Sequence, residues 1–281
     1  MGNTKAIQSG IVLGYGSTRR TAELAHLAEE CGWDGIFVGD AVWTEDPLIR
    51  LTAAAMTTTR IKLATMILAV PLRTPWMIAS QALALDLLSE GRLILGLGTG
   101  ATWMGWQAFP SLPTGQKIRA EMLDETIDIL TGLFQRLQFD YPGKHFPLEL
   151  SKLDTVHFPP PSRQQPRVPI WVPALLGHAQ SMARAGRCDG FFPLRVDDTG
   201  KPLELAPQDL TASAAIPRPA GAAPLDIIVE GQTGDLDPAQ AREKLAAWAE
   251  AGMTWWVEST WGLEDEPLVA RIRKGPPGVG K

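Results

Sequence analysis

Eight short apolar runs alternate with helix-like segments along this chain of 281 residues, and this alternation constrains the fold more than any other feature. Each run is rich in Val, Ile, Leu and aromatic residues, which is typical of parallel strands covered on both faces. The runs are residues 7–15, 35–40, 61–68, 92–98, 169–175, 190–196, 225–231 and 254–260. We therefore predict a parallel α/β protein, and eight such units favour a (β/α)8 barrel over an open sheet.

Two irregular regions interrupt this alternation. Residues 138–168 hold several prolines and short alternating runs, which predict a small hairpin outside the barrel. Residues 197–224 contain little more than one weak helical pattern, and we predict a long loop or a degraded βα unit at the catalytic end. With these additions, residues 1–281 are predicted to form a single barrel domain.

A small internal repeat supports the α/β class. Gly32, Gly186 and Gly252 each follow a helix-like segment and precede an apolar run by a few residues. A glycine at this position is typical of a helix end where a left-handed backbone returns the chain to the sheet. Because any helix-to-strand loop has this pattern, the repeat indicates the class and not the topology.

Three glycines at alternate positions, Gly96, Gly98 and Gly100, end the fourth run. Counted from Gly96 to Ala101, the stretch satisfies the G-x-G-x-x-G/A pattern of dinucleotide-binding folds. That pattern requires a helix directly after it, but prolines and glycines delay any helix to about Lys117. We therefore favour a strand end where glycines let a flat ligand approach the backbone. The alternatives are a glycine-rich strand end without a ligand and an NAD-dependent dehydrogenase.

Composition favours a small-molecule partner. The formal net charge of -5 gives no electrostatic reason to expect nucleic acid or an anionic membrane. The N-terminus lacks the apolar core of a signal peptide, and no apolar run approaches the ~20 residues that span a bilayer. Cys31 and Cys188 lack metal-ligand or redox spacing, so we expect two buried thiols in a reducing compartment. The sequence predicts a cytoplasmic protein without a metal site.

Five blocks of the sequence resemble, in order, those of a known enzyme family. The blocks are CGWDGIFVGD, PLRTPWMIASQALALDLLSEGRLILGLGTG, RAEMLDETIDIL, PPSRQQPRVPIWVPA and AGRCDGFFPL. They resemble the luciferase-like monooxygenase family, which comprises bacterial-luciferase-type flavin enzymes and relatives that use the deazaflavin coenzyme F-420. The resemblance covers residues 7–195, and the tail is similar to that of a compact branch. It implies a TIM barrel of the bacterial-luciferase type, redox chemistry and a homodimer.

The resemblance also implies where a cofactor binds. In relatives the ring rests on a bulge after the third strand, often with a non-proline cis peptide, and the phosphate lies beyond the fifth and sixth strands. The candidate cofactor-binding residues are Asp40, Met66, Ile67, Leu68, Gly98, Thr99, Leu176, Gly177, His178, Leu194 and Arg195. Gly177 and His178 open a predicted helix whose N–H groups can face an anion, and Arg195 can add a charge-assisted bond. The alternatives are a turn, a surface cap and a solvated side chain.

The sequence departs from its relatives at positions that carry chemistry. In F-420-dependent sugar-phosphate dehydrogenases the resemblance implies a His and a Glu where this sequence has Ala41 and Ala101. Alanine cannot transfer a proton, so a dehydrogenase mechanism of that type is not expected. In the luciferase branch an Arg meets the FMN phosphate where Gln107 stands here. No catalytic residue is assigned, and Glu230 and Glu258 are either candidate acids or structural carboxylates.

Three tryptophans follow barrel strands and are candidate substrate-pocket residues. Trp43 follows the second strand, and Trp103 and Trp106 follow the fourth. Large rings at these positions can hold an apolar substrate or exclude water from a reduced cofactor, and the alternative is that they pack loops.

These observations predict an oxidoreductase that acts on a small apolar organic substrate with reduced FMN or coenzyme F-420. With FMN the expected chemistry is insertion of one oxygen atom from O2, and the flavin is expected to be reduced by a separate flavin reductase. With F-420, a hydride would reduce a C=C or C=N bond without oxygen. A barrel that binds a flavin without turnover is the remaining alternative.

Overall fold

The computed structural model describes residues 7–154 and 158–278, so part of the predicted excursion and of the N-terminus lies outside the described residues. All eight predicted strands occur. The strands are β1 (Gln8–Val12), β2 (Gly35–Val38), β3 (Lys62–Thr65), β4 (Leu68–Ala69), β5 (Leu93–Gly98), β6 (Asp140–Tyr141), β7 (Leu148–Glu149), β8 (Ile170–Leu175), β9 (Gly190–Val196), β10 (Pro202–Leu203), β11 (Asp226–Gly231) and β12 (Trp255–Glu258).

Seven α-helices are described, and their starts follow local sequence signals. They are α1 (Thr18–Glu30), α2 (Pro47–Thr57), α3 (Pro75–Leu88), α4 (Gln116–Phe134), α5 (Ala179–Gly186), α6 (Pro238–Glu250) and α7 (Asp265–Arg273). Proline occupies the first turn of α2, α3 and α6, where its missing N–H is not needed, and Asp46 and Asp237 cap two of these helices. The first α-helix after Gly100 begins at Gln116. The dinucleotide-fold alternative is therefore wrong.

The strand order is that of a (β/α)8 barrel. Hydrogen-bonded neighbours follow the order β9, β11, β12, β1, β2, β3 and β5, and β8 pairs with both β5 and β9. The chain forms two compact units. Unit 1 comprises Met1–Gly14, Leu24–Phe37 and Trp171–Lys281, and unit 2 comprises Tyr15–Glu23 and Val38–Ile170.

Aromatic rings fill the interior of unit 1. Phe37, Trp171 and Trp255 contact one another with ring centroids 5.5–6.1 Å apart. A Cβ at Gly10 would lie 2.2 Å from the Phe37 ring, so this glycine makes room for the cluster. These contacts bury the strands of unit 1 on their inner face.

The three repeat glycines differ in the structure. Gly32 and Gly252 have φ of +88° and +104° and end their helices as predicted. Gly186 is instead the last residue of α5, and the prediction of a left-handed backbone there is wrong. A Cβ at Gly186 would lie 1.9 Å from the carbonyl oxygen of Pro217, so close packing requires this glycine.

A buried guanidinium joins the elements of unit 2. Arg92 is 7% exposed, and its Nε donates to the Ser89 carbonyl at 2.7 Å. Its two Nη atoms donate to the carbonyls of Ala55, Thr58 and Ile61 and to the Thr58 hydroxyl at 2.8–3.2 Å. Since these acceptors lie at the ends of α2 and α3 and before β3, one side chain satisfies several helix-terminal carbonyls.

A second buried side chain of unit 2, Asp86 on α3, holds the segment before β8. Its carboxylate accepts the backbone N–H of Arg163 and of Gln164, at 2.6 and 3.2 Å, and the Gln164 side-chain amide at 2.8 Å. Asp86 is fully buried, so these bonds replace its hydration. The amide of Gln164 also donates to the Leu93 carbonyl, which joins this segment to β5.

The two irregular regions contain short strands and a 3-10 helix. β6 and β7 pair antiparallel as a small hairpin, and Glu125 of α4 accepts the backbone N–H groups of Lys144, His145 and Phe146 beside it. In unit 1, β10 pairs antiparallel with β9, and a 3-10 helix covers Pro207–Ala215 in the long loop.

The two cysteines differ in exposure. Cys188 is buried, but Cys31 is half-buried, so the prediction of two buried thiols is wrong for Cys31. No helix in the described part of the chain is long and apolar enough to cross a membrane.

Candidate functional site

A backbone bulge follows β3 in unit 2. The peptide bond between Met66 and Ile67 is cis, at the position where the resemblance places such a bond. The Met66 N–H donates to the Val38 carbonyl at 2.8 Å, and Leu68 pairs with Leu97 of β5. Met66 and Ile67 are half-buried, whereas the side chain of Leu68 is fully buried. A contact of Leu68 with a cofactor stays a prediction.

At the alternating glycines near the end of β5, other protein atoms lie where a side chain would begin. A Cβ at Gly96 would lie 2.0 Å from the Thr65 carbonyl oxygen, and one at Gly98 would lie 1.8 Å from Cδ1 of Ile67. At Gly100, where φ is +75°, a Cβ would lie 2.5 Å from the Trp106 ring. Protein atoms therefore occupy the side-chain direction of each of these glycines, and the approach of a flat ligand to this strand end stays a prediction.

Asp40, the expected polar contact to a cofactor, lies in an ion pair. It is 9% exposed, and its two oxygens accept from the Arg73 guanidinium at 2.6 and 3.1 Å. Oδ2 also accepts the Ala69 N–H at 2.8 Å. Burial raises the pKa of Asp40 above its ordinary value, while Arg73 and the Ala69 N–H act in the opposite direction. In this structure Asp40 fixes the segment after the bulge, and its contact with a cofactor stays a prediction.

The three candidate pocket tryptophans have different surroundings. Trp43 and Trp103 are 91% and 82% exposed, and Trp43 has a left-handed φ of +61°. Trp106 is 1% exposed and lies against Gly100 and the Arg119 guanidinium. Trp106 therefore occupies the interior of unit 2, in agreement with the loop-packing alternative. Trp43 and Trp103 present their rings to solvent, which is unusual for residues of this size.

Arg119 is a buried cation beside the end of β5 that sequence reasoning did not single out. Its Nη1 donates to the carbonyls of Thr99 and Gly100 at 2.9 and 3.0 Å. Its Nε is buried and has no hydrogen-bond partner among the described residues. No carboxylate of the described chain forms an ion pair with it, and burial lowers the pKa of the guanidinium from its ordinary value. The signal was present, because Arg119 begins one of the family-like blocks.

In unit 1, the predicted anion-binding segment lies between β8 and α5. The Leu176 N–H donates to the Leu194 carbonyl at 2.9 Å, so that bond of Leu176 is used within the fold. Gly177 has φ of +82° and open space around its Cα, and its N–H donates to the thioether of Met182 at 3.3 Å. A thioether is a weak acceptor, so an anion is a stronger partner for this N–H.

The side chains of His178 and Arg195 already have partners in unit 1. Nδ1 of His178, which precedes α5 as its N-cap, accepts the Ser181 N–H at 3.3 Å, in agreement with the surface-cap alternative. Nη1 of Arg195 pairs with Asp209 at 3.0 Å. An anion at Arg195 would therefore compete with Asp209, and the roles of both residues in cofactor binding stay predictions.

The two candidate acids of unit 1 differ sharply in exposure. Glu230 is exposed and accepts the indole N–H of Trp261 at 2.6 Å. Glu258 is 1% exposed, and its oxygens accept from Arg271, from the Thr233 N–H and hydroxyl and from the Trp256 indole N–H, at 2.8–3.0 Å. Burial opposes ionisation, but these donors hold the pKa of Glu258 below its ordinary value. Glu258 is a structural carboxylate.

No cluster of three or more His, Cys, Asp and Glu side chains suited to a metal ion occurs within residues 7–154 and 158–278. Gln107 is exposed and Ala41 is buried, and neither residue has an ionisable side chain. Beside the end of β5, Arg119 is a charged group that has no opposite charge among the described residues.

Comparison with known proteins identifies the family. The profile of the luciferase-like monooxygenase family matches residues 3–253. A Mycobacterium tuberculosis protein whose name places it among coenzyme F-420-dependent oxidoreductases is 31% identical over 198 residues. The match covers 66% of this chain and 54% of that protein, so this chain spans about half the length of that relative.

Solved structures show the same fold. The coenzyme F-420-dependent tetrahydromethanopterin reductase of Methanopyrus kandleri has a TM-score of 0.72 at 17% identity and covers 96% of this chain and 98% of its own. A second structure, solved with FMN, is the oxygenating constituent of 3,6-diketocamphane monooxygenase of Pseudomonas putida. It has a TM-score of 0.64 at 19% identity, and the match covers 86% of this chain and 71% of that chain. Since the family profile extends over most of the sequence, this protein belongs to the luciferase-like monooxygenase family.

Proposed function

We propose that this protein is an oxidoreductase that uses reduced FMN or reduced coenzyme F-420 on a small apolar organic substrate. The observation that carries the proposal is Arg119, a guanidinium that is 9% exposed and has no opposite charge among the described residues. Burying a cation without a counter-ion is costly, so such a group is typical of a site that binds an anion. FMN and F-420 both carry a phosphate group.

The residues of unit 2 fit a cofactor of this kind. The unpartnered Nε of Arg119 is a donor that the protein itself leaves unused. We propose that Arg119 takes the role of the phosphate-binding Arg for which this sequence has Gln107. In unit 1, the Gly177 N–H, which donates to a thioether, is a second candidate donor to an anion.

The chemistry comes from the cofactor, which supplies two electrons when it is bound in its reduced form. The residues of this chain bind, orient and exclude water. Ala41 and Ala101 provide no proton-transfer group, so a dehydrogenase that depends on His and Glu at these positions is not supported. The exposed rings of Trp43 and Trp103 are the residues we propose to cover the bound ligands.

The proposal is tested by binding of the cofactors to the purified protein. FMN and F-420, each oxidised and reduced, are titrated while tryptophan and cofactor fluorescence are recorded. Tight binding of F-420 alone would indicate an oxygen-independent reductase, and preference for reduced FMN would indicate a monooxygenase. Binding of neither cofactor would contradict the proposal.

We expect Arg119→Met to weaken FMN binding about tenfold or more, because a hydrogen bond to a charged group contributes roughly 1.5–3 kcal/mol. Binding of riboflavin, which has no phosphate, is expected to change little. Lys117→Met, at an exposed residue in the first turn of the same helix, is the matched control. Equal losses for FMN and riboflavin would show that Arg119 has only a structural role, through its bonds to Thr99 and Gly100.

We also propose that the protein is a homodimer and that α3 lies in the interface. Trp76, Met77, Leu87 and Leu88 on this helix are 39–50% exposed. The one charged residue of α3, Asp86, is fully buried, so the exposed face is uncharged. An uncharged apolar face suits a two-fold contact with a second copy, because no like charges meet across the axis.

The interface is tested by light scattering after size-exclusion chromatography. The unmodified protein is expected to show twice the mass of the chain, and Leu88→Glu is expected to shift it to the monomer, since the change places two carboxylates in an apolar contact. Leu137→Glu, at a residue that is 51% exposed outside α3, is the control. A dimer unaffected by Leu88→Glu would place the interface elsewhere.

A further inference from the structure

Arg73 of unit 2 binds two carboxylates beside the bulge after β3. Its side chain follows the 3-10 helix Val70–Leu72 and is 15% exposed. Nη1 donates to Oδ2 of Asp40 at 2.6 Å, and Nη2 donates to Oδ1 of Asp40 at 3.1 Å and to Oδ2 of Asp46 at 2.8 Å. One guanidinium therefore makes a two-bond contact with Asp40 and a third bond to Asp46.

Asp46 gives Arg73 a fixed anchor. Its Oδ1 accepts the N–H groups of Leu48 and Ile49, at 2.8 and 3.2 Å, and so caps the start of α2. Its Oδ2 is the atom that binds Arg73. Because one carboxylate makes both contacts, the orientation of the guanidinium is tied to the first turn of α2.

Asp40 transmits this orientation to the backbone of the bulge. Its side chain is 2% exposed, and its Oδ2 also accepts the Ala69 N–H at 2.8 Å. At the other end of the bulge, the Met66 N–H donates to the Val38 carbonyl at 2.8 Å. The backbone from Met66 to Ala69 is therefore held at both ends by residues 38–40, and the bond at the Ala69 end is made by a side chain.

The charges favour this arrangement while Arg73 is present. Burial raises the pKa of Asp40, Arg73 and the Ala69 N–H oppose this shift, and the negative charge of Asp46 adds to it. Without the guanidinium, burial and Asp46 act together against the ionised carboxylate, which would take up a proton or turn away. Either change weakens the bond to the Ala69 N–H, because an ionised acceptor forms the stronger hydrogen bond.

We propose that Arg73 is a positioning residue for the cofactor ring: through Asp40 it fixes the backbone at Met66 and Ile67, the half-buried residues at which we expect the ring. This inference rests on the proposed function and deepens it. Arg119 is proposed to bind the phosphate, and Arg73 to set the place of the ring. Arg73 acts through Asp40 and needs no contact of its own with the cofactor.

The first measurement needs no cofactor. Backbone hydrogen exchange is followed by mass spectrometry, and peptides that contain Ala69 are compared between the unmodified protein and Arg73→Met. We expect the Ala69 amide to exchange about tenfold faster in Arg73→Met, because a hydrogen bond to a charged acceptor is weakened or lost. Arg73→Lys keeps the charge but not the two-bond contact, so a smaller increase is expected.

Glu125→Gln is the matched control for lost stability in unit 2. This buried carboxylate accepts the backbone N–H groups of Lys144, His145 and Phe146. Its replacement is expected to speed exchange in the hairpin of β6 and β7 and to leave the Ala69 amide unchanged. Equal exchange of the Ala69 amide in Arg73→Met and the unmodified protein would overturn the inference.

The second measurement is the affinity for the ring itself. Riboflavin and the deazaflavin riboside of F-420 carry the rings without a phosphate, and both are titrated together with FMN and F-420. We expect Arg73→Met to weaken the phosphate-free compound and its parent cofactor by the same factor, about fivefold, a usual size for an effect transmitted through an intervening residue. Arg119→Met is expected to give the opposite pattern, with a loss for the phosphate-bearing compound alone.

An Asp40→Ala background separates positioning from a general structural role. There, Arg73→Met is expected to change the affinity for the ring little, because the path through Asp40 is already removed. A loss as large as in the unmodified background, or unchanged affinity in Arg73→Met alone, would overturn the inference and leave the proposed function standing. Binding of none of the four compounds to the unmodified protein would contradict the proposed function and this inference together.

Discussion

Gly96→Ala is expected to lower the free energy of unfolding by about 3 kcal/mol, which is the upper part of the usual range for overpacking a core. The added methyl group would lie 2.0 Å from the carbonyl oxygen of Thr65, and this oxygen belongs to the backbone of a buried strand. Neither β3 nor β5 can move away without breaking the hydrogen bond between the Thr65 hydroxyl and the Gly96 carbonyl. Urea unfolding followed by circular dichroism measures the loss.

Gly98→Ala is the matched comparison, and its expected cost is about 1 kcal/mol. A Cβ at Gly98 meets the far end of the Ile67 side chain, which can rotate away. Gly262→Ala, where a Cβ would meet nothing within 4 Å, serves as the control for the substitution itself. Equal losses in Gly96→Ala and Gly98→Ala would show that the backbone contact at Thr65 is not the cause.

Arg271→Met is expected to lower the free energy of unfolding at neutral pH by about 3–5 kcal/mol, the usual cost of leaving one partner of a buried ion pair alone. Arg271 and Glu258 are 7% and 1% exposed, and their closest atoms are 3.0 Å apart. Without the guanidinium, the carboxylate keeps only the Thr233 and Trp256 donors. Glu258→Gln is expected to cost less, because the amide oxygen can still accept from Arg271, which also donates to the Gly275 carbonyl and the Thr233 hydroxyl.

The same ion pair makes the stability depend on pH. The pKa of Glu258 is lower in the folded protein than in the unfolded chain, so the folded state favours the ionised form. This contribution is complete above the ordinary glutamate pKa of about 4.3 and is lost as the pH falls through the lower folded value. Urea unfolding from neutral pH downward is expected to show a smaller decline in Glu258→Gln than in the unmodified protein.

Glu230→Gln is the control for the pH series, because Glu230 ends the neighbouring strand but is exposed. Its replacement is expected to change the free energy of unfolding little, because the side chain is exposed. An identical decline in Glu258→Gln and the unmodified protein would mean that other carboxylates account for the acid sensitivity.

The barrel could be predicted because parallel strands have a clear local sequence pattern. Strands covered on both faces are continuously apolar, and β8 and β9 each match their predicted run almost end to end. Gly32 and Gly186 show the limit of such local patterns. Both stand in the same sequence pattern, but one has a left-handed backbone and the other accommodates the Pro217 carbonyl. The pattern records that a glycine is needed and not which contact requires it.

The candidate site was less predictable because its properties depend on partners distant in sequence. In the sequence, Asp40 is a carboxylate at a strand end that suits a contact with a cofactor. The structure adds that Arg73 forms an ion pair with it. The sequence shows no neighbour in the side-chain direction of Gly98, whereas in the structure Ile67 of the bulge occupies that direction. Arg119 is the reverse case. An arginine in a helix carries no special signal in the sequence, and the structure is needed to show that this one is buried without an opposite charge among the described residues.

The network around Arg92 and Asp86 has a consequence for how such chains are recognised. The block from Pro71 to Gly100 is the longest that resembles the family, and its polar residues Asp86, Ser89 and Arg92 bond to backbone groups of neighbouring elements. These residues are therefore constrained by assembly of the scaffold. Similarity in this block therefore indicates that two proteins share these scaffold contacts. It does not indicate that they act on the same compounds. We expect substrate choice to depend instead on the loops that carry Trp43 and Trp103.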